Sequence, residues 1–334
     1  MGIVSVFADL LRGFFIKKLI NERQASAHTV ASYRDTMSLL LHYMSDVHGH
    51  RPDELTFAIC NAEAIGGFLA YLEAERGNST STRNTRLAAI RSFYRYASYR
   101  DPQDQALINQ VLSIGPKRGI RHVVAYLTDP EIQALLDAPD QSCWHGRRDH
   151  ALLHTAIYTG LRVSELTGLL VSNMHLERTG AYVQCVGKGR KTRRTPLARP
   201  TRDVLAHWIQ ANSLRPDQVL FGTISAHRLS RDAVAKIIRH HQATAIEDCP
   251  SLEGKIVTPH VLRHTCAMQL LQAGIDINVI AMWLGHQSTE TTQIYLHADM
   301  KTKEKALAQI NIDANLNQGL YHPDGELLQF LAGL

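Results

Sequence analysis

The chain is poor in several features that commonly betray a function. Its 334 residues include five cysteines (Cys60, Cys143, Cys185, Cys249 and Cys266), scattered, odd in number and never in a CxxC pair. That argues against a disulfide framework and a thiolate zinc site, and suits small buried hydrophobes in a reducing compartment. No run approaches the ~20 uninterrupted apolar residues a membrane span needs. The apolar stretch 1–20 is broken by Asp9, Arg12, Lys17 and Lys18, with no small-residue cleavage site after it. Neither a membrane anchor nor a signal peptide is expected, and a cytoplasmic protein is the default. The 18 histidines contain no HExxH and no facing pair with a carboxylate, so neither a metal nor another cofactor is expected. Repeats and low-complexity tracts are also lacking.

Acidic residues are scarce in particular places. The net charge of +5 is only a mild hint of an anionic partner. Residues 1–121 hold 15 Lys and Arg against 11 Asp and Glu; the remainder holds 21 against 20. Inside that balanced second part, residues 188–202 carry seven basic side chains and no acidic one, among them Lys188, Arg190, Lys191, Arg193 and Arg194. The stretch reads as a localised phosphate contact or as a solvated loop, and alone it does not decide between them.

The length suits two domains. Residues 29–48, 61–76 and 80–99 show apolar side chains three and four apart, the mark of amphipathic helices. The third helix buries Leu87, Ile90, Phe93, Tyr94 and Ala97, while Arg83, Arg86, Arg91 and Arg95 crowd its other faces without acidic partners. Such a helix suits a position along a nucleic-acid backbone; a solvated face is the other reading. A basic, turn-rich stretch with Gly115, Lys117, Arg118 and Gly119 then breaks the periodicity. We expect a helical domain over 1–113, a linker over 114–126 and a second domain over 127–300, with a tail over 301–334. Thr128 to Glu131 forms a strong helix start. Residues 181–186 alternate like a strand, Gly187-Lys188-Gly189 makes a turn, and residues 193–197 can return. Further helices fit 199–211, 230–245, 259–273, 278–284 and 289–296. The expected class is mainly α with a small β-sheet.

Several polar residues sit where packing explains them poorly. Arg162 follows the Thr159-Gly160 turn at a helix opening, with Glu165 one turn on. His260 and Arg263 share a face of a helix beginning at Pro259. His286 follows Leu284-Gly285, and Tyr295 stands nine residues later. Together they suit attack on a phosphodiester. Arg162 and Arg263 offer bidentate forks to the extra negative charge of a phosphorane. The Tyr295 phenol, whose ordinary pKa is about 10, needs a positive setting. Lys188 can protonate a leaving hydroxyl, although Lys191 could exchange roles with it. His260 and His286 can orient the phosphate and move protons near neutral pH.

The ordered boxes TGLRVSEL, a lysine turn, HVLR, LGH and the downstream tyrosine resemble the tyrosine recombinase, or phage integrase, family, including its Xer-like members. The tight match covers residues 126–300; the amino-terminal part is consistent with the family's helical core-binding domain. The resemblance implies a two-domain clamp around double-stranded DNA, and Tyr295 as nucleophile with Arg162, Lys188, His260, Arg263 and His286 as its catalytic partners. It implies site-specific cutting and rejoining through a 3′-phosphotyrosine link, within a tetramer of this chain or with a related recombinase. Integration, excision, resolution and transposition share this chemistry. Glu165 is either a support for the site or part of a surface ion pair. Arg83, Arg86, Arg91, Arg95, Lys117, Arg118, Arg190, Lys191, Arg193 and Arg194 are the candidate DNA contacts. The tail is expected to pack on a neighbouring subunit, docking in cis being the other reading. Alternatives are a catalytically silent DNA-binding protein and a type IB topoisomerase.

Overall fold

The computed structural model describes residues 6–119, 125–186 and 192–285, and the chain divides into two compact units, Met1–His122 and Val123–Leu334. Among the described residues it is mainly helical with one small sheet. No described helix is long and apolar enough to cross a membrane.

In the first unit, α1 (Val6–Gly13) runs into a π-helical segment, Phe14–Glu22. It is followed by α2 (Ala27–Asp46), α3 (Ala62–Ala74), α4 (Thr80–Ser98) and α5 (Gln105–Ser113). The three helices read from periodicity lie within two residues of their expected ends. Their starts are set by side chains: Ser26, Asn61 and Ser79 accept first-turn backbone N–H groups at 3.2, 3.0 and 3.2 Å. These bonds satisfy donors that a helix start leaves orphaned. The apolar amino-terminal stretch is structural, because Phe7, Phe14 and Leu19 are buried in the core. Phe7 meets Phe57 and Phe93 edge-on at centroid separations of 5.1 and 5.2 Å, a geometry aromatic quadrupoles favour. Buried Tyr94 donates its hydroxyl to the Cys60 carbonyl, and burial pushes its phenol well above the usual range. Helix α5 is additional to the three helices expected in this part of the chain.

The basic stretch after α5 is tied back to α4. Asn84 exchanges hydrogen bonds with the Lys117 backbone, at 2.8 Å to its carbonyl and 3.0 Å from its N–H, and Arg83 donates to the Gly115 carbonyl at 3.3 Å.

In the second unit, α7 (Trp144–Thr159) is central, with eleven of its sixteen residues buried. Against it pack α6 (Asp129–Asp137), α8 (Val163–Leu166), α9 (Arg199–Ala211) and α11 (Pro259–Gln272). Helix α10 (Arg231–Asp248) packs on α6, and α12 (Ile277–Leu284) on α11. The strands β1 (Met174–His175), β2 (Tyr182–Val186) and β3 (Thr192–Pro196) form an antiparallel sheet in that order, with Tyr182 opposite Pro196 and Val186 opposite Thr192. Two strands lie where alternation places them; β1, two residues long, is too short to alternate.

Two clusters of buried charge in this unit are paired, as their desolvation demands. Arg148 clasps one oxygen of Asp149 at 2.7 and 2.8 Å, and the other lies 3.0 Å from His241 Nε2. Glu131 closes the capping box of α6 and accepts from Lys255 and Ser251, which lie shortly before α11. Burial works to raise the Glu131 pKa, but the hydrogen bonds from Lys255, Ser251 and the Thr128 N–H outweigh it and hold the carboxyl below its ordinary range.

Candidate active site

Helix α7 stops because Gly160 adopts a left-handed conformation (φ +61°), which costs glycine little and turns the chain into α8. Arg162 is the N-cap of α8, with extended backbone. Its N–H donates to Glu165 Oε2 at 2.7 Å, its Nη1 to Glu165 Oε1 at 3.1 Å, and its Nη2 to the Gly285 carbonyl at 2.8 Å. Arg263, on the buried side of α11 and 4% exposed, donates Nη1 to the Gly160 carbonyl at 2.5 Å and Nη2 to the Leu284 carbonyl at 2.6 Å. Two arginines far apart in sequence therefore end on adjacent carbonyls, those of Leu284 and Gly285. Gly285 itself is left-handed (φ +64°) and ends α12. Trp283 donates its indole N–H to the Thr159 carbonyl at 3.2 Å, joining α12 to the end of α7.

His260 is exposed at the start of α11, one turn before Arg263. The neighbouring His264 is half-buried, and burial, with His260 and Arg263 nearby, lowers its pKa. Thr258 caps this helix by accepting the Val261 N–H at 3.2 Å. Cys266 lies beneath the Gly160 turn, and its buried thiol is pushed up to about 12.

Glu165 belongs to this cluster rather than to a surface ion pair. Its side chain is 4% exposed, and besides Arg162 it takes a two-toothed contact from Arg193 at 3.0 and 2.9 Å. Arg193 was expected among the DNA contacts; the structure turns it inward from β3 to Glu165. The signal was present, since Arg193, Thr195 and Leu197 alternate with exposed Thr192, Arg194 and Pro196, the period-two pattern of a half-buried strand. Three guanidiniums against one carboxylate leave the cluster net positive, the setting a phosphate requires.

Other expected contacts divide. Arg95, Arg118 and Arg194 are exposed, Arg194 lying over the Tyr182 ring at 5.0 Å. Arg86 and Arg91 are half-buried, with Arg86 reaching Thr36 Oγ1 at 3.4 Å. One of these expectations is corrected. Arg83 is buried and bonded to Asn84 and the Gly115 carbonyl, and the Lys117 ammonium is paired with Glu73 at 2.5 Å. Internal acceptors have taken the Arg83 guanidinium, so it does not stand ready for an external anion; the Lys117 side chain is 57% exposed, and a surface ion pair of this kind exchanges readily. Lys188, Arg190, Lys191, His286, Tyr295 and the tail lie outside the described residues, as does the helix expected over 289–296.

A helical first unit, a second unit organised around a central buried helix, and paired arginines at the ends of α7 and α12 define a class, the tyrosine recombinases. The Phage integrase family model matches residues 125–302, and the family's N-terminal SAM-like domain matches residues 14–101. This chain belongs to the phage integrase family and is Xer-like within it. It is 47% identical to the putative integrase/recombinase y4rC of Sinorhizobium fredii, over 98% of both chains. It is 32% identical to the tyrosine recombinase XerD of Vibrio cholerae, covering 85% of this chain and 90% of that one. The Tn1549 transposon integrase, solved in complex with transposon right end DNA, shares the fold at a TM-score of 0.69 and 15% identity, covering 92% of this chain and 99% of that one.

Proposed function

We propose that this chain is a site-specific recombinase that cuts and rejoins double-stranded DNA through a 3′-phosphotyrosine intermediate. Arg162 and Arg263 hold the non-bridging oxygens of the scissile phosphate. The Tyr295 phenol oxygen forms a bond to phosphorus as the bond from phosphorus to the 5′ oxygen breaks. The phenolic proton leaves through the histidine side of the pocket, His260 or His286, and Lys188 protonates the departing 5′ oxygen. A 5′-hydroxyl from a partner strand reverses the step, so bond energy is kept and no nucleotide cofactor is consumed. Carrying this reading is the seating of Arg162 and Arg263 on neighbouring carbonyls, at the residues just before His286. Anchored forks of this kind need little reorganisation as charge develops.

The wider arrangement belongs to the same proposal. A core-binding domain over 1–113 and a catalytic domain over 127–300 clamp the duplex, with the linker over 114–126 crossing it. On the first domain, Arg86, Arg91 and Arg95 of α4 meet phosphates, joined by Lys117 and Arg118; Arg190, Lys191 and Arg194 do so on the second. Recombination runs in the cytoplasm, in a tetramer on two DNA sites, with the tail over 301–334 reaching a neighbouring subunit.

The test uses duplexes enriched from a random-sequence pool by the full-length Tyr295→Phe protein, then nicked near the selected site. Wild-type protein should form a denaturation-resistant adduct on them and the Tyr295→Phe protein none. An adduct that survives Tyr295→Phe would assign the nucleophile elsewhere.

A further inference from the structure

We infer that Arg193 is a positioning residue that occupies the Glu165 carboxylate and so keeps Arg162 available to phosphate; this rests on the reading of Arg162 as a phosphate ligand. Glu165 Oε1 accepts from Arg162 Nη1 and Arg193 Nη1 at 3.1 and 3.0 Å, and Oε2 from the Arg162 N–H and Arg193 Nη2 at 2.7 and 2.9 Å. Arg193 thus grips both oxygens with its guanidinium, while the guanidinium of Arg162 touches one and spends its other end on Gly285. Bidentate pairing is the stronger arrangement, so Arg193 is the counter-ion and Arg162 the shared neighbour. Without Arg193, the carboxylate, almost wholly out of water, would keep Arg162 as its hydrogen-bonded cation among the described residues. The Arg162 fork would then close on it, leaving the Gly285 carbonyl and losing its charge to an internal pair.

Exposure agrees with this division. The Arg193 side chain is 13% exposed and that of Arg162 29%, so Arg162 is the one open to a ligand. Arg193 also packs flat on Gly285, where a Cβ would lie 2.3 Å from Nη1 and 3.1 Å from Cδ and Cζ. Its guanidinium therefore lies between Glu165 on α8 and Gly285 at the end of α12.

The test measures Arg193→Met, Glu165→Gln and the double variant, all full-length, on the enriched duplexes described above. Arg193→Met should leave the salt dependence of DNA binding unchanged and slow adduct formation in the saturated complex by about 100-fold, the scale of an ångström-sized misplacement. With the carboxylate charge gone there is nothing to capture Arg162, so Glu165→Gln/Arg193→Met should cleave within about threefold of Glu165→Gln. Equal losses from Arg193→Met in both backgrounds would overturn the inference. So would a fall of about 0.9 in the salt slope, the signature of a lost phosphate contact. The double variant buries no unpaired charge and carries the comparison should Arg193→Met fail to fold. The salt-slope measurement, made in the Tyr295→Phe protein, needs no cleavage and judges Arg193 even if the adduct reading fails.

Discussion

Gly285→Ala places a methyl group where the structure has a guanidinium. Two costs add. At φ +64° an alanine pays about 1–2 kcal/mol for left-handed backbone. Its Cβ would also stand 2.3 Å from Arg193 Nη1, so the guanidinium must withdraw by about 1 Å to reach ordinary contact, which for the Cβ begins near 3.4 Å. That motion breaks at least the 3.0 Å bond to Glu165 Oε1. Breaking a buried pair outright costs about 3–5 kcal/mol; losing one of its two bonds should cost about half as much. The sum is about 3 kcal/mol, which for a unit of about 200 residues lowers Tm by about 6–12 °C. Gly274→Ala is the internal control, since Gly274 is also left-handed (φ +81°) but a Cβ there meets nothing within 4 Å. It should pay the backbone cost alone, about 2–8 °C. Differential scanning calorimetry of both variants, with adduct formation measured beside it, isolates the collision. Equal Tm losses for the two variants, or full cleavage by Gly285→Ala, would refute the packing of Arg193 against this turn.

His154 is buried, its Nδ1 has no hydrogen-bond partner, and burial lowers its pKa from 6.5 to about 4. A base that stays neutral in the folded state gives stability that is full above pH 6.5 and lost as pH falls toward 4, about 3 kcal/mol across the window. In His154→Phe that limb of the Tm-against-pH curve should flatten; an unchanged curve would place the acid sensitivity elsewhere. Arg95→Ala, an exposed change on α4, should weaken DNA binding and lower the salt slope by about 0.9, whereas Arg83→Met should leave the slope alone and lower Tm. A reversed pattern in fluorescence anisotropy titrations would mean that α4 presents its other face to DNA.

The helices with strong periodicity and capping residues were legible, because local pattern and tertiary packing agree there. The Thr128 capping box and the Gly160 turn depend on short-range chemistry and were equally readable. Less was legible where a partner lies far along the chain. Counting charges marked Arg83 as unpaired, yet its acceptors are the Gly115 carbonyl and Asn84, neither of which a charge count registers. Arg193 fell into a basic run that reads either as a phosphate contact or as a solvated loop, and the alternation of β3 was the subtler cue. The approach of Gly285 to Arg162 spans 123 positions, and no local pattern encodes it.

Arg162 and Arg263 rest on main-chain oxygens, those of Gly160, Leu284 and Gly285. A carbonyl is supplied by every amino acid, so no single substitution deletes these anchors; only a change in backbone path can remove them. The demand on heredity is correspondingly narrow: two glycines able to turn left-handed, and two helices ending in register. Around that frame a lineage can exchange surface and core side chains freely while the two arginines keep their seats. Enzymes of this build can thus drift far in sequence without rebuilding the frame that holds these two arginines.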